Sequence, residues 1–263
     1  MFDITNITNE VPAWLWMWLI AGGIFATAKT AMLCQAGGMR GWRFWAFLMA
    51  WPGMDTGVWM DESIVCEKTM RWHAGLPALA LGAFLVWGAA RLCSQPLVAG
   101  WTSMVGMVLM LHFGLFRSLA AFWQHRGVPV TPLMDAPLKS MTVSEFWGRR
   151  WNRAFRDLSQ ALLGRPLARR WGSMAALWVV FLVSGLAHEL VISVPAGAGY
   201  GLPTAYFVLQ AAAILTEKCL KLRGHLWAVA VIGLPAFFLF HPPFVERVIL
   251  PFLTTLGALP CAR

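Results

Sequence analysis

The sequence has few charged residues, and this scarcity excludes several classes of protein. Asp, Glu, Lys and Arg make up 13% of the 263 residues, about half the share that is usual in soluble domains. Apolar residues make up 59%, and 24 glycines add to them, whereas soluble domains carry about 45–50% of the two together. The composition therefore excludes a disordered chain or an ordinary soluble domain, and it predicts a polytopic membrane protein.

Cysteine is also scarce, and its pattern predicts neither a disulfide framework nor a metal site. The five cysteines form no C-x-x-C pair and no Cys/His spacing typical of zinc. We therefore expect inert, packed thiols and no bound metal. The net charge of +9 is expected to reflect topology and contact with membrane lipids, and no nucleic-acid partner is predicted.

Long uncharged runs predict about seven transmembrane helices. A spanning helix needs about 20 mostly apolar residues. The runs are 11–28, 74–90, 92–116, 171–187, 190–216, 224–245 and 248–262. The run 44–54 is too short to cross, so we expect it in the interface or as a buried half-helix. The expected fold is an all-α, polytopic helical bundle that forms a single domain over residues 1–263.

The distribution of Lys and Arg predicts the orientation of these spans. If the N-terminus lies outside, 19 of the 21 basic residues, Lys29 and Lys68 among them, fall on the cytosolic side, where such residues are in excess. We therefore predict an outside N-terminus and a cytosolic C-terminus. Sixteen Arg against five Lys favour a bacterial inner membrane, with the endoplasmic reticulum as the open alternative.

The long polar segment 117–170 contains a predicted amphipathic helix. Thr142 and Glu145 match a capping box, and Gly164 and Pro166 supply stop signals. Between them we expect one continuous helix, with an apolar and an Arg-rich face, that lies along the cytosolic membrane surface. The predicted helix covers 143–163, and its basic face includes Arg149, Arg150 and Arg153. That face suits anionic lipid or a phosphate-bearing cytosolic molecule, and the pattern does not separate the two.

Asn152 is predicted to lie at the boundary between the two faces of this helix. Gly148, one turn earlier, leaves a gap beside the amide in which a ligand or another backbone fits. From this segment alone, a surface Asn on an interfacial helix is the simpler interpretation.

His188 is the histidine most strongly marked as functional, because ionisable residues inside a span are costly and usually functional. Ser184 and Gly185 lie one turn earlier, so the imidazole is expected to face small side chains with room for a ligand. Burial favours the neutral ring, which accepts a proton. A hydrogen bond from His188 to another helix is an equally open interpretation. Glu189 is either its orienting partner or a separate helix-packing contact.

Two other histidines are predicted to be structural. His112 lies within a span without a polar companion, so we expect it to pack in the core. His241 precedes Pro242 and Pro243, where the chain must leave the helix, so we expect it in a turn.

Two stretches resemble the paired motifs of the wax-synthase branch of the membrane-bound O-acyltransferases. They are S-E-F-W-G-R-R-W-N at 144–152 and S-G-L-A-H-E at 184–189. The segments 51–55 and 241–251 resemble accompanying segments of that branch, and the resemblance is dense over 133–190. It implies a multi-pass bundle with a tunnel, and transfer of an acyl group from acyl-CoA to a hydroxyl acceptor.

The resemblance also assigns roles to residues. In the family the residues that match His188 and Asn152 are the catalytic pair, so His188 is expected to act as general base and Asn152 as an amide donor to the thioester or oxyanion. The expected substrate-binding residues are Arg149, Arg150, Arg153, Trp151, Gly148, Ser184 and Glu189. The arginines suit the phosphates of acyl-CoA. Because a thioester is already activated, we expect no cofactor and no metal.

Three functions follow as hypotheses. The first is transfer to a long-chain alcohol, which yields a wax ester. The second is acetylation of the hydroxyl of a small lipid or terpenoid. The third is a transporter or membrane scaffold in which His188 relays protons. Transport favours several ionisable residues at membrane depth, and His188 with Glu189 stands nearly alone, which favours an enzyme.

Overall fold

We describe the chain from a computed structural model over residues 11–64, 66 and 69–260, and every regular element in this part is a helix. The main helices are α1 (Ala13–Ala36), α2 (Gly41–Ala50), α3 (Thr56–Met60), α4 (Leu76–Trp87), α5 (Pro96–His125), α6 (143–150), α7 (Arg153–Ala196), α8 (Leu202–Leu220), α9 (His225–Leu239) and α10 (Pro242–Thr255). Lys68, Cys261 and the last residues of the run 248–262 lie outside the described residues. The predicted all-α class is confirmed for the part that is described.

Three of the described helices, α1, α5 and α7, are long and apolar enough to cross a membrane. Helices α9 and α10 meet at a bend of 60° and make a fourth crossing if they form one broken span. These helices indicate an integral membrane protein, but the predicted count of about seven spans is not confirmed. Helix α4 with its 3₁₀ extension is short (Leu76–Leu92), and α8 carries buried polar side chains.

Glycines allow α4 and α5 to pack closely. A Cβ added to Gly82 would lie 2.5 Å from the carbonyl oxygen of Gly106, and one added to Gly106 would lie 2.7 Å from that of Gly82. Small residues at membrane helix interfaces let two backbones approach in this way. The contact positions α5, which carries His112.

The predicted continuous helix over 143–163 is wrong, because the chain breaks at Trp151 and Asn152. Trp151 is extended, and Asn152 adopts the left-handed conformation with φ 39°. The neighbouring segment 133–135 replaces the lost helical hydrogen bonds, since Asp135 N donates to Arg150 O at 2.9 Å and Arg153 N donates to Leu133 O at 3.0 Å. The predicted separation of an apolar and a basic face across residue 152 therefore does not exist.

The predicted helix end at Gly164 and Pro166 is also wrong. A wide π-helical turn over Gln160–Gly164 leads directly into the next helical segment. Pro166 falls in the first turn of that segment, where its missing N–H is not needed. The helix breaks instead at Gly172, whose φ of 86° is available to glycine but rarely to other residues.

Residues 44–50 of the run 44–54 lie in the short helix α2, and residues 51–54 follow it outside the helix. A short helix agrees with both predicted alternatives, an interfacial segment and a buried half-helix. Phe47 is fully buried, whereas Trp45 and Met49 are exposed. Lys29 of α1 packs against this helix: its ammonium lies 3.4 Å from the centre of the Phe47 ring, and Nζ donates to Gly53 O at 2.5 Å. Lys29 is therefore a buried residue within α1, which begins before it and continues to Ala36. The predicted span 11–28 is thus too short at its C-terminal end.

Candidate active site

His188 lies in α7 with ordinary helical backbone angles, φ −72° and ψ −33°. Its Nδ1 is 2.7 Å from the carbonyl oxygen of Ser184. A carbonyl can only accept, so Nδ1 carries the proton and Nε2 presents a lone pair. The imidazole also packs on the ring of Phe207 from α8, with 4.5 Å between ring centres. The ring is thus oriented by its own helix, with the basic nitrogen left available.

The small residues before His188 do not leave the space that the sequence suggested. A Cβ on Gly185 would lie 2.8 Å from Thr204 Cα, so the missing side chain allows α7 and α8 to touch. Ser184 is buried, and its hydroxyl donates to Val180 O at 2.9 Å. The expected ligand gap at these two residues is filled by helix packing.

Glu189 does not hydrogen-bond to His188. Its Oε1 accepts from the backbone N–H and the hydroxyl of Thr204, at 3.1 and 3.0 Å. This contact tethers α7 to the first turn of α8, as the helix-packing interpretation predicted. Glu189 also lines a shallow groove of about 520 Å³ between the two helices. The groove is otherwise lined by Leu186, Tyr200, Gly201, Thr204, Ala205 and Val208.

Asn152 is positioned by its own backbone conformation and by a helix cap. Asn is one of the few residues that tolerate the left-handed region. Its Oδ1 accepts from Phe155 N at 3.2 Å and so caps the start of α7. Within the described residues, no hydrogen bond involves Asn152 Nδ2. The amide oxygen therefore serves the fold, whereas the amide N–H groups have no partner in the described part.

Aromatic rings link the two motifs. Trp147 of α6 packs on Phe181 of α7 and on Phe207 of α8, with 6.1 and 5.6 Å between ring centres. Phe207 in turn contacts His188. A straight helix from residue 152 to residue 188 would be about 54 Å long, so these contacts show that the break at Gly172 brings the second half of α7 back to the motif before it.

His112 belongs to the same group of packed aromatic rings, a position that the amino-acid sequence did not predict. Its ring stacks on Trp151 at 5.7 Å, and Trp151 stacks on Phe146 at 5.4 Å. The predicted core packing is correct, and the residue on which His112 packs, Trp151, directly precedes Asn152. A lone histidine in an apolar run carries no signal for such a contact, since it depends on the fold of α5 against α6.

Three of the π-helical segments in the described part contain or adjoin His112, Asn152 or His188. They are Leu109–Leu115, Phe146–Arg150 and Glu189–Ser193. The first contains His112, the second ends two residues before Asn152, and the third begins directly after His188. Such wide turns occur frequently at functional sites, so their placement agrees with a site between the two motifs.

The arginines of the first motif fall into different environments. Arg150 pairs with Glu145 at 2.7 Å and donates to Asp135 O at 3.1 Å. The N–H of Met141 and the Arg150 guanidinium hold the pKa of Glu145 below its usual value. Arg149 is exposed, and Gly148 beside it borders open space. Arg153 has its Nε buried without a partner in the described part. Arg149 is thus the residue best placed to meet an anionic group, while Arg150 holds the local fold.

The helix cap predicted at Thr142 is present, and the return bond of the predicted capping box is shifted by one residue. Thr142 Oγ1 accepts from Glu145 N at 2.9 Å. The Glu145 carboxylate reaches back to Met141 N, also at 2.9 Å. His241 likewise has the turn role that was expected, because its Nδ1 accepts from Phe244 N and caps α10.

The comparisons with known proteins point to one family. Residues 130–209 match the family described as Membrane bound O-acyl transferase family. The chain is 30% identical to the long-chain-alcohol O-fatty-acyltransferase of Simmondsia chinensis over 36% of this chain and 30% of the relative. It is 28% identical to the probable long-chain-alcohol O-fatty-acyltransferase 8 of Arabidopsis thaliana over 40% of this chain and 33% of the relative.

The matched segment contains both motifs, so the predicted resemblance to the wax-synthase branch of this family is confirmed. The chain matches about a third of the length of these relatives. No solved structure matches it.

Proposed function

We propose that this protein transfers an acyl group from acyl-CoA to a hydroxyl acceptor in the membrane, with a long-chain alcohol as the acceptor and a wax ester as the product. The observation that carries the proposal is the family match over 130–209. This segment contains both motifs, and Phe207 of α8 contacts Trp147 of the first and His188 of the second. The names of the similar plant proteins support a long-chain alcohol as the acceptor.

His188 is proposed as the general base. An alcohol is a weak nucleophile at neutral pH, and a base that takes its proton during attack contributes about 10²–10⁴-fold to the rate. The Nδ1–H bond to Ser184 O supports this role, because it presents Nε2 as the proton acceptor. The alcohol oxygen bonds to the thioester carbonyl carbon, the carbon–sulfur bond breaks, and the proton passes through Nε2 to the thiolate of CoA.

Asn152 is proposed as the donor that stabilises the oxyanion. Its Oδ1 is held by Phe155 N, which orients the amide and directs Nδ2 away from the cap. Removing one such donor elsewhere costs about 2.7–4 kcal/mol of transition-state stabilisation. Arg149 is proposed to meet the CoA phosphates from the exposed side of α6, and the apolar bundle to hold the acyl and alcohol chains.

The product identifies the function. Purified protein with palmitoyl-CoA or acetyl-CoA should be incubated with a fatty alcohol, a sterol or a terpenoid alcohol, and the esters measured by mass spectrometry. The proposal expects a wax ester from palmitoyl-CoA and the fatty alcohol. Acetyl esters of the small alcohols alone would support acetylation instead. No ester under any condition would contradict transfer to an alcohol.

We also propose that the N-terminus lies outside, the C-terminus lies in the cytosol and the membrane is the bacterial inner membrane. Single cysteines at Tyr200 and Arg165, both exposed, test the orientation in a background in which the native cysteines are replaced by serine. An impermeant thiol reagent applied to intact cells should label residue 200 and spare residue 165. Labelling of both residues, or of residue 165 alone, would contradict the orientation.

A further inference from the structure

One side of α8 contacts both motifs, and part of that side lies beyond the segment 130–209 that matches the family. The contacting residues are Thr204, Phe207, Gln210 and Glu217. Their spacing of three, three and seven keeps them on one side of the helix. Gln210 and Glu217 follow the matched segment, so nothing in the family match assigns them a role.

Glu217 holds the start of α6. Its side chain is buried, and its two carboxylate oxygens accept from Val143 N at 2.5 Å and from Ser144 N at 3.1 Å. The first N–H groups of a helix have no partner within the helix, and negative charge is favoured there. Trp227 of α9 donates to the same carboxylate at 2.9 Å. One carboxylate thus joins α6, α8 and α9.

Gln210 holds α6 one turn further along. It is fully buried, its Oε1 accepts from Trp147 Nε1 at 3.2 Å, and its Nε2 donates to Val231 O of α9 at 3.0 Å. Packing alone does not explain these residues, since a buried amide or carboxylate costs free energy that an apolar side chain of similar size avoids.

We propose that Glu217 and Gln210 are positioning residues that hold α6 in register with His188. Helix α6 ends directly before Trp151 and Asn152, so its placement sets where the Asn152 amide lies. The same face of α8 contacts His188 through Phe207, and α8 therefore acts as a common support for both motifs. The inference rests on the proposed acyl transfer.

The test compares Glu217→Gln and Gln210→Met with the matched control Trp227→Phe. Glu217→Gln puts an N–H donor against the amides of α6, and Gln210→Met keeps the volume but removes both hydrogen bonds. Trp227→Phe removes a hydrogen bond to the same carboxylate and leaves the two bonds from Glu217 to the N–H groups of α6 in place. For each variant, kcat, donor KM, the thermal unfolding midpoint and hydrogen–deuterium exchange of the peptide 141–151 should be measured.

The proposal expects faster exchange at 143–150 in Glu217→Gln, with kcat reduced about ten- to a hundredfold, since a misplacement of about 1 Å can cost this much. Donor KM should stay within about twofold. Gln210→Met should show smaller changes of the same kind, with faster exchange, a lower kcat and an almost unchanged donor KM. Trp227→Phe should resemble the wild type in exchange and kcat. If Glu217→Gln does not fold, the exchange at 143–150 and the kcat of Gln210→Met test the proposal.

Unchanged exchange, or faster exchange with an unchanged kcat, would overturn the proposal. A loss of kcat in all three variants that follows their unfolding midpoints would also overturn it, because it would indicate general destabilisation. If the wild-type protein forms no ester at all, the proposed function fails, and the exchange measurements still decide whether Glu217 holds α6.

Discussion

The side chains of His188 and Asn152 are oriented in the same manner, by a hydrogen bond to nearby backbone. The fold explains the choice of residue type at position 152 but not at position 188. Each side chain has one polar atom bonded to nearby backbone, Nδ1 to Ser184 O and Oδ1 to Phe155 N, and one nitrogen left over. Asn152 stands at a left-handed position that favours asparagine on backbone grounds alone. His188 stands at an ordinary helical position where no backbone reason requires histidine. A loss of activity at residue 188 therefore does not involve a damaged turn, whereas a loss at residue 152 must first be separated from one.

The largest expected effect is at His188. His188→Ala should reduce ester formation by about 10²-fold or more, because the general base is lost, while the purified protein remains monodisperse. His125→Ala is the matched control, since its Nδ1 also contacts the carbonyl four residues earlier, Ala121 O at 2.8 Å, at an exposed position. Activity close to the wild type in His188→Ala would remove this residue as the base. His112→Ala is unsuitable as a neutral control because His112 stacks on Trp151.

Asn152 is tested by two substitutions that both tolerate the turn. Asn152→Asp keeps the cap oxygen and the tolerance for positive φ but removes the N–H donor, so kcat should fall about 10²–10³-fold. Asn152→Gly keeps the turn and loses only a few tenths of a kcal/mol of capping stability, and kcat should fall similarly. A kcat near that of the wild type in Asn152→Asp would show that Asn152 serves only the turn and does not stabilise the oxyanion.

The arginines should separate binding from folding. Arg149→Gln should raise donor KM severalfold with an unchanged unfolding midpoint, because Arg149 is exposed and proposed to meet phosphate. Arg150→Gln should lower the unfolding midpoint, because it removes the pair with Glu145 and the bond to Asp135 O. Kinetics and thermal unfolding in detergent measure both effects. A lower unfolding midpoint in Arg149→Gln and a raised donor KM in Arg150→Gln would contradict this assignment.

The smallest effect concerns pH. Because the folded-state pKa of Glu145 is lowered, its stabilising contribution is present above the unfolded pKa of about 4.3 and is lost as pH falls through the folded pKa. Glu145→Gln should therefore unfold at a lower temperature than the wild type near pH 7, and the difference should shrink below about pH 4. A constant difference across that range would show that the carboxylate charge is not what stabilises the turn.

The sequence predicts features that depend on neighbours along the chain and misses those that depend on distant contacts. The helix cap at Thr142 was predictable because its partner is three residues away. The break at Asn152 was not, since the segment 133–135 supplies the competing hydrogen bonds. Lys29 shows the same limit: its burial depends on Gly53 and Phe47, which a charge count along the chain does not include.

The central claim is that His188 and Asn152 act on one transition state although 36 positions separate them. Its most direct test is a double-mutant cycle with His188→Gln and Asn152→Asp, measured as kcat/KM for ester formation. Substitutions of residues that act as one catalytic unit have strongly non-additive effects. We expect the double variant to be about as slow as the slower single variant. A double variant whose loss equals the product of the two single losses would contradict it.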